Sequence, residues 1–166
     1  MNHKSSPTTY VFIDATNIIY GATRAGWKVD FQKLFHYLKT RYEAKKIYYF
    51  AGVDNENPKQ LKFYEKLREF GYFLKLVPVK KFSDGKKKAD VDSRMTFEMM
   101  LLSEEYQKTL VFTGDGDYFW VLEYLKKQKQ VKLFGCGRSI AHELKRLLGG
   151  NITDINLIKE IVSYKK

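Results

Sequence analysis

Five short apolar runs, separated by stretches of helical periodicity, most constrain what this 166-residue chain can fold into. They lie at residues 10–13, 47–51, 72–77, 109–113 and 131–134. Such runs, lacking polar alternation and rich in Val, Ile, Tyr and Phe, read as strands buried on both faces. That pattern belongs to a parallel sheet covered by helices. Parallel neighbours need crossovers, and the intervening segments supply them. Asp30 is placed to cap a helix carrying Phe31, Leu34, Phe35 and Leu38 at helical spacing. Pro58 opens a second, with Leu61, Tyr64 and Leu67 on one face and Gly71 as its stop. Met95, Met99 and Leu102 mark a third, and Tyr118, Val121, Leu122 and Leu125 a fourth. A fifth follows from Ile140, Leu144, Leu147 and Leu148. Residues 152–155 add a short strand, and Leu157, Ile158, Ile161 and Val162 a closing helix. Residues 15–17 read as an exit loop before a further apolar stretch at 18–20. The expectation is an α/β fold with a central, mostly parallel sheet of about five strands. One domain over residues 10–163 follows a flexible tail at 1–9.

The charge balance narrows the partners. Thirty Lys and Arg face 19 Asp and Glu, a formal +11 with a pI near 9.5. Lysines cluster at 80–81, at Lys86, Lys87 and Lys88, and at 126–129. Such a surplus suits a polyanion, and phosphate backbones are the commonest. The single cysteine, Cys136, excludes an intrachain disulfide framework and fits a reducing compartment. His3, His36 and His142 are too scattered for a metal site. The amino terminus lacks the apolar core of a signal peptide, and no run is long enough to span a bilayer. The chain is expected to be soluble and cytoplasmic.

Against this basic background the acids stand at a few corners. The first strand ends on Asp14. The fourth ends at Thr113-Gly114-Asp115-Gly116-Asp117, where an apolar run stops on two glycine-spaced carboxylates. In an open parallel sheet, ligands bind beyond the carboxyl ends of the strands where the strand order reverses. If the first and fourth strands are neighbours, Asp14, Asp115 and Asp117 meet. Asp92 and Glu98 fall about 60° to either side of the Met95–Met99 stripe, flanking buried surface. Each acid also has an ordinary reading. Asp-Gly pairs make turns, and Asp117 is placed to cap the following helix. Asp92 is placed to cap its own helix, and Glu98 to pair with Arg94. Clustered carboxylates stay ionised together mainly around a cation, and oxygen ligands without Cys or His select Mg²⁺ or Mn²⁺. Such a site suits phosphodiester hydrolysis. A Gly-rich phosphate loop, a dinucleotide fingerprint and an EF-hand loop all fail on the residues present.

The segments Phe12-Ile13-Asp14-Ala15-Thr16-Asn17, Val91-Asp92-Ser93-Arg94-Met95 with Glu98, and Thr113-Gly114-Asp115-Gly116-Asp117-Tyr118 together resemble the NYN domains, relatives of the PIN-domain nucleases. Gly137-Arg138-Ser139 before a helix, with a late Ile-x-Asp-Ile, is similar to the usual end of that domain. The resemblance implies a three-layer PIN-like α/β/α fold and a Mg²⁺- or Mn²⁺-dependent ribonuclease site. By motif match Asp14, Asp92, Asp115 and Asp117 are its catalytic and metal-holding acids, and Glu98 is a further ligand. Asn17 matches an asparagine that orders the site. Thr113 stands for the commoner serine, and Ser93 for a frequent valine.

The expected function is therefore a metal-dependent endoribonuclease acting on single-stranded or structured RNA. Asn17, Thr113, Lys86, Lys87, Lys88, Arg138 and Ser139 are its expected substrate contacts. The alternatives are a non-catalytic RNA-binding or regulatory module that keeps the fold, and a nuclease acting on DNA.

Overall fold

The structure, a computed structural model, describes residues 5–165, so the first four residues of the expected tail lie outside it. Strand β1 (Thr9–Asp14) runs directly into helix α1 (Ala15–Arg24), and α2 (Phe31–Tyr42) leads to β2 (Lys46–Val53). Helix α3 (Pro58–Phe70) then precedes β3 (Phe73–Pro78) and a small hairpin of β4 (Lys80–Lys81) and β5 (Lys87–Lys88). The second half reads α4 (Val91–Leu101), β6 (Lys108–Phe112), α5 (Phe119–Lys126), β7 (Gln130–Gly135), α6 (His142–Leu148), β8 (Ile152–Asp154) and α7 (Lys159–Val162).

The main sheet has six strands in the order β3-β2-β1-β6-β7-β8, and every pairing in it is parallel. Alternation along each strand sorts the core into two halves. Val11, Ile13, Tyr49, Leu110 and Phe112 pack beneath α1, α2, α3 and α7. Tyr10, Phe12, Tyr48, Phe50, Val111 and Leu133 pack beneath α4, α5 and α6. This is the three-layer arrangement expected, with β8 as a sixth strand at one edge.

Two local expectations shift. Residues 15–17 are not a loop but the first turn of α1, because Asp14 both ends β1 and caps the helix by accepting from Asn17 N at 3.4 Å. The lysine clusters at 80–81 and 86–88, which belong to none of the expected strands or helices, form the β4–β5 hairpin, pairing Lys80 with Lys88 and Lys81 with Lys87. Ion pairs from Lys81 to Glu56 and from Lys87 to Asp54 tie it to the loop before α3.

The topology positions the site. From β1 the chain steps to β2 and β3 on one side, and from β6 to β7 and β8 on the other. The strand order therefore reverses between β1 and β6, whose register sets Ile13 opposite Phe112. Asp14 and Thr113 are thus adjacent at the carboxyl ends of neighbouring strands, where such sheets hold ligands.

Candidate metal centre

A cavity of about 340 Å³ opens at this switch point, lined by Asp14, Asn17, Asp92 and Asp115 among others. One carboxylate oxygen each from Asp92, Asp115 and Asp117 lies within 4.8 Å of the other two. These acids come from the start of α4 and from the turn after β6, so the fold alone brings them together.

Asp14 is at the base of the group and only 5% exposed. Its Oδ2 accepts a hydrogen bond from the Thr113 hydroxyl at 3.1 Å, and Thr113 Oγ1 in turn accepts from Asp115 N at 3.2 Å. Burial raises the Asp14 carboxyl to about 6, helped by the negative charges of Asp92 and Asp115 and opposed by the bonds from Asn17 and Thr113. Asp92 is raised in the same direction, first by burial and then by Asp115 and Asp117. The Tyr118 hydroxyl opposes that shift by donating to Asp92 Oδ1 at 3.0 Å. Tyr118 is fully buried, so it holds Asp92 from behind.

The turn between β6 and α5 has its own internal logic. Asn17 Oδ1 accepts from Gly114 N at 2.9 Å, and Gly114 O accepts from Ala141 N at 2.9 Å. A side chain at Gly114 would meet the Ser139 carbonyl at 3.1 Å, and one at Gly116 would meet the Glu143 carboxylate at 2.3 Å. Gly114 is confined by the backbone of Ser139 and Ile140 leading into α6, whereas the nearest group at Gly116 is the movable end of the Glu143 side chain. Capping is assigned differently from expectation. Asp115, not Asp117, caps the 3-10 turn that precedes α5, accepting from Asp117 N at 2.9 Å. Asp90, not Asp92, caps α4 by accepting from Ser93 N. Asp92 and Asp117 are thus free of the roles that would have explained them away.

The remaining expected residues divide. Glu98 is 4% exposed, but its carboxylate is engaged by Arg94 at 2.9 Å and Lys75 at 3.4 Å, away from the acid group. Thr113 is fully buried, so it orders the site from beneath. Asn17 and Ser139 line the cavity, whereas Arg138 is exposed and does not line it. Lys86, Lys87 and Lys88 stand on the hairpin rather than in the cavity. The sequence reading missed Arg24 and Tyr20, both of which line it. Their spacing from Asn17 on one face of α1 was the available signal, hidden by reading residues 15–17 as a loop.

The donor set fits a hard divalent cation: all ligand atoms are carboxylate oxygens, with no Cys or His in the group. Among the described residues no Lys, Arg or His pairs with Asp14, Asp92, Asp115 or Asp117. Like charges this close call for a counter-ion.

Comparison with known proteins agrees with this geometry. A family model, the NYN domain, matches residues 8–155. The chain belongs to the NYN domain family. It therefore has the family's PIN-like nuclease fold, with an acidic group in position to hold a divalent ion. Among curated proteins, it is 27% identical over 161 residues to the low amplitude and bright protein LabA of Synechococcus elongatus, covering 92% of this chain and 86% of LabA. A crystal structure of a protein of unknown function from Vibrio parahaemolyticus, VPA0982, shares the fold with a TM-score of 0.76. That likeness holds at 24% identity, covering 89% of this chain and 92% of that one. No helix among the described residues of this NYN domain is long and apolar enough to cross a membrane.

Proposed function

We propose that this NYN domain is a divalent-metal-dependent endoribonuclease that hydrolyses RNA phosphodiester bonds at the cavity between β1 and β6. The observation that carries the reading is the convergence of Asp92, Asp115 and Asp117 beside a buried Asp14, with no Lys, Arg or His among the described residues paired to any of them. Asp92, Asp115 and Asp117 hold the ion, Mg²⁺ or Mn²⁺, and Asp14 sets the field beneath it. When bound, the ion supplies acidification of water and neutralisation of charge on the phosphodiester. The chain's own residues do the rest. Tyr118 fixes the rotamer of Asp92, and Thr113 couples Asp14 to the backbone of Asp115. Asn17 holds the Gly114 amide so that the acid turn keeps its shape. Arg24, which lines the cavity and has no ion-pair partner among the described residues, contacts the phosphate. Lys86, Lys87, Lys88 and Arg138 steer the backbone toward the cavity from outside it, in keeping with the surplus of positive charge.

The test is cleavage of labelled single-stranded and hairpin RNA, with DNA of the same sequence alongside, in Mg²⁺, Mn²⁺ or EDTA. Cleavage that requires the ion and is lost in Asp115→Asn is the expected result. Cleavage surviving both Asp14→Asn and Asp115→Asn would remove the assignment. RNA binding with no ion-dependent cleavage would point instead to a non-catalytic RNA-binding module.

A further inference from the structure

The acid cavity does not end at its own rim. Thr16, Ala89 and Val91 are shared with a second recess of about 630 Å³, enclosed by α1, the start of α3 and the lysine hairpin. Its apolar lining includes Ile19, Phe63 and Tyr64, with Phe63 half-buried and Ile19 exposed. A flat, apolar ring is the kind of group that such a surface accepts.

The polar edge of this recess is unusually one-sided. Asn57 and Gln60 both line it. Asn57 Oδ1 accepts from Gln60 N at 3.2 Å, and Gln60 Oε1 accepts from Asp54 N at 2.7 Å. Only an oxygen can meet a backbone N–H, so these bonds fix which way each amide faces. Each residue is left with its NH₂ group, and neither NH₂ has a partner among the described residues. The acceptors beside these amides each already take one hydrogen bond. Asp54 Oδ1 accepts from Glu56 N and Oδ2 from Lys87 Nζ, and Gly52 O accepts from the Tyr64 hydroxyl at 2.6 Å. The edge formed by Asn57, Gln60 and the Lys88 ammonium therefore offers donors, while the acceptors of the recess are the Thr16 hydroxyl on the α1 side and the Asp54 carboxylate held by Lys87.

We propose that this recess takes the base of a nucleotide beside the scissile phosphate, and that it selects bases with carbonyl oxygens on their edge, uracil or guanine, over adenine. Guanine offers O6 and N7 together and uracil offers O4, whereas adenine sets its acceptor N7 beside an exocyclic amine, so one donor of the edge meets another donor and is left unpaired. Phe63 provides the surface on which the ring lies. This inference rests on the nuclease reading of the acid cavity, and it turns a site that otherwise handles only phosphate into one with a sequence preference.

The deciding measurement is fluorescence anisotropy of labelled 12-mers of uridine, of adenosine and of alternating guanosine-adenosine. It uses the full chain carrying Asp115→Asn so that the RNA stays intact. The expected result is uridine and guanosine-adenosine RNA binding at least about fivefold tighter than oligoadenosine. Adding Asn57→Asp and Gln60→Glu together reverses the edge from donor to acceptor. Aspartate still caps α3 and glutamate still accepts from Asp54 N, so the fold is kept. The preference should fall to parity or invert, while the circular dichroism spectrum stays that of the parent. Because a ratio is read, the general repulsion between new carboxylates and phosphates cancels. Phe63→Ala should weaken all three RNAs about tenfold. Binding without base preference, or a preference unmoved by the double change, overturns this inference while leaving the nuclease reading intact. Absence of RNA binding, together with absence of wild-type cleavage, overturns both.

Discussion

Asp92 and Glu98 sit on the same helix, both flank its buried stripe, and the sequence marks both as metal ligands. The fold treats them in opposite ways. Glu98 is compensated: Arg94 comes from the same helix and Lys75 from the neighbouring edge strand, so the charge enters the protein already neutralised. Asp92 is concentrated: it faces two more carboxylates, and the polar group holding it, the Tyr118 hydroxyl, carries no charge. A buried ion pair is a structural solution to a buried charge, whereas unpaired like charges raise free energy unless something else binds. The difference between the two ends of α4 is therefore the difference between a fold element and a site.

The sharpest way to break this comparison is to remove one acid from each group. Asp115→Asn is expected to lower RNA cleavage by at least about 100-fold in saturating Mn²⁺ while leaving the melting temperature of the ion-free protein unchanged or raised. A melting temperature that falls steeply in that variant would show Asp115 to be a structural cap and nothing more.

Asp14 carries the next largest effect, and its sign is diagnostic. The folded carboxyl is raised to about 6, so between its ordinary value near 3.8 and that point the folded state holds the proton more tightly than the unfolded chain. Stability contributed by the protonated form is thus present at low pH and lost as pH rises through that window, by on the order of 3 kcal/mol. In EDTA, Asp14→Asn should flatten the pH profile and stabilise the protein at pH 7.5 by roughly 1–3 kcal/mol. The gain is trimmed because an amide accepts one hydrogen bond fewer. Thermal melts from pH 4 to pH 8 would read about 3–8 °C at the upper end. A variant that melts lower than the wild type throughout would mean that Asp14 is paid for by its hydrogen bonds and is not held at a cost. Activity should fall at the same time, the usual exchange where a site stores unfavourable charge.

Glu98→Gln provides the opposing arm. It should cost about 1–2 kcal/mol, less than a fully buried pair, because the Arg94 and Lys75 side chains keep 41% and 29% exposure and so retain water. The rise in melting temperature on adding Mn²⁺ should be the same as in the wild type. Loss of that Mn²⁺ response would return Glu98 to the metal group.

How far the sequence reached follows the same divide. Strands, crossovers and the meeting of Asp14 with the Gly-Asp-Gly-Asp turn were legible, because period and register are local properties and the switch-point rule does the rest. Pairing was not. Lys75 lies on a different element from Glu98, and only the packing of α4 over β3 brings them together. Arg94 was visible at helical spacing, yet spacing alone does not choose between a surface pair and a buried one. The ordinary cap readings of Asp117 and Asp92 fall two residues from the observed caps, Asp115 and Asp90, because aspartates come in close succession at both corners and sequence cannot say which one turns inward. The amide orientation of Asn57 and Gln60 was beyond reach altogether, since it depends on which backbone N–H each oxygen meets.

The smallest effect separates holding a ligand from being one. Tyr118 reads as core in the sequence and is core in the structure, yet its hydroxyl is the group that donates to Asp92. Tyr118→Phe keeps the ring and removes that donor. With the bond gone, Asp92 is opposed only by burial and by its acidic neighbours, so its carboxyl moves further upward and competes with protons at a higher pH. Mn²⁺ affinity, followed by titration calorimetry, should weaken about fivefold at pH 7. That is less than the usual loss for a hydrogen-bond partner of a ligand, because Asp115 and Asp117 still hold the ion. The loss should grow as pH is lowered toward 6 and shrink as it is raised toward 8. A purely structural role for the hydroxyl would lower the melting temperature and leave affinity, and its pH dependence, where they are in the wild type.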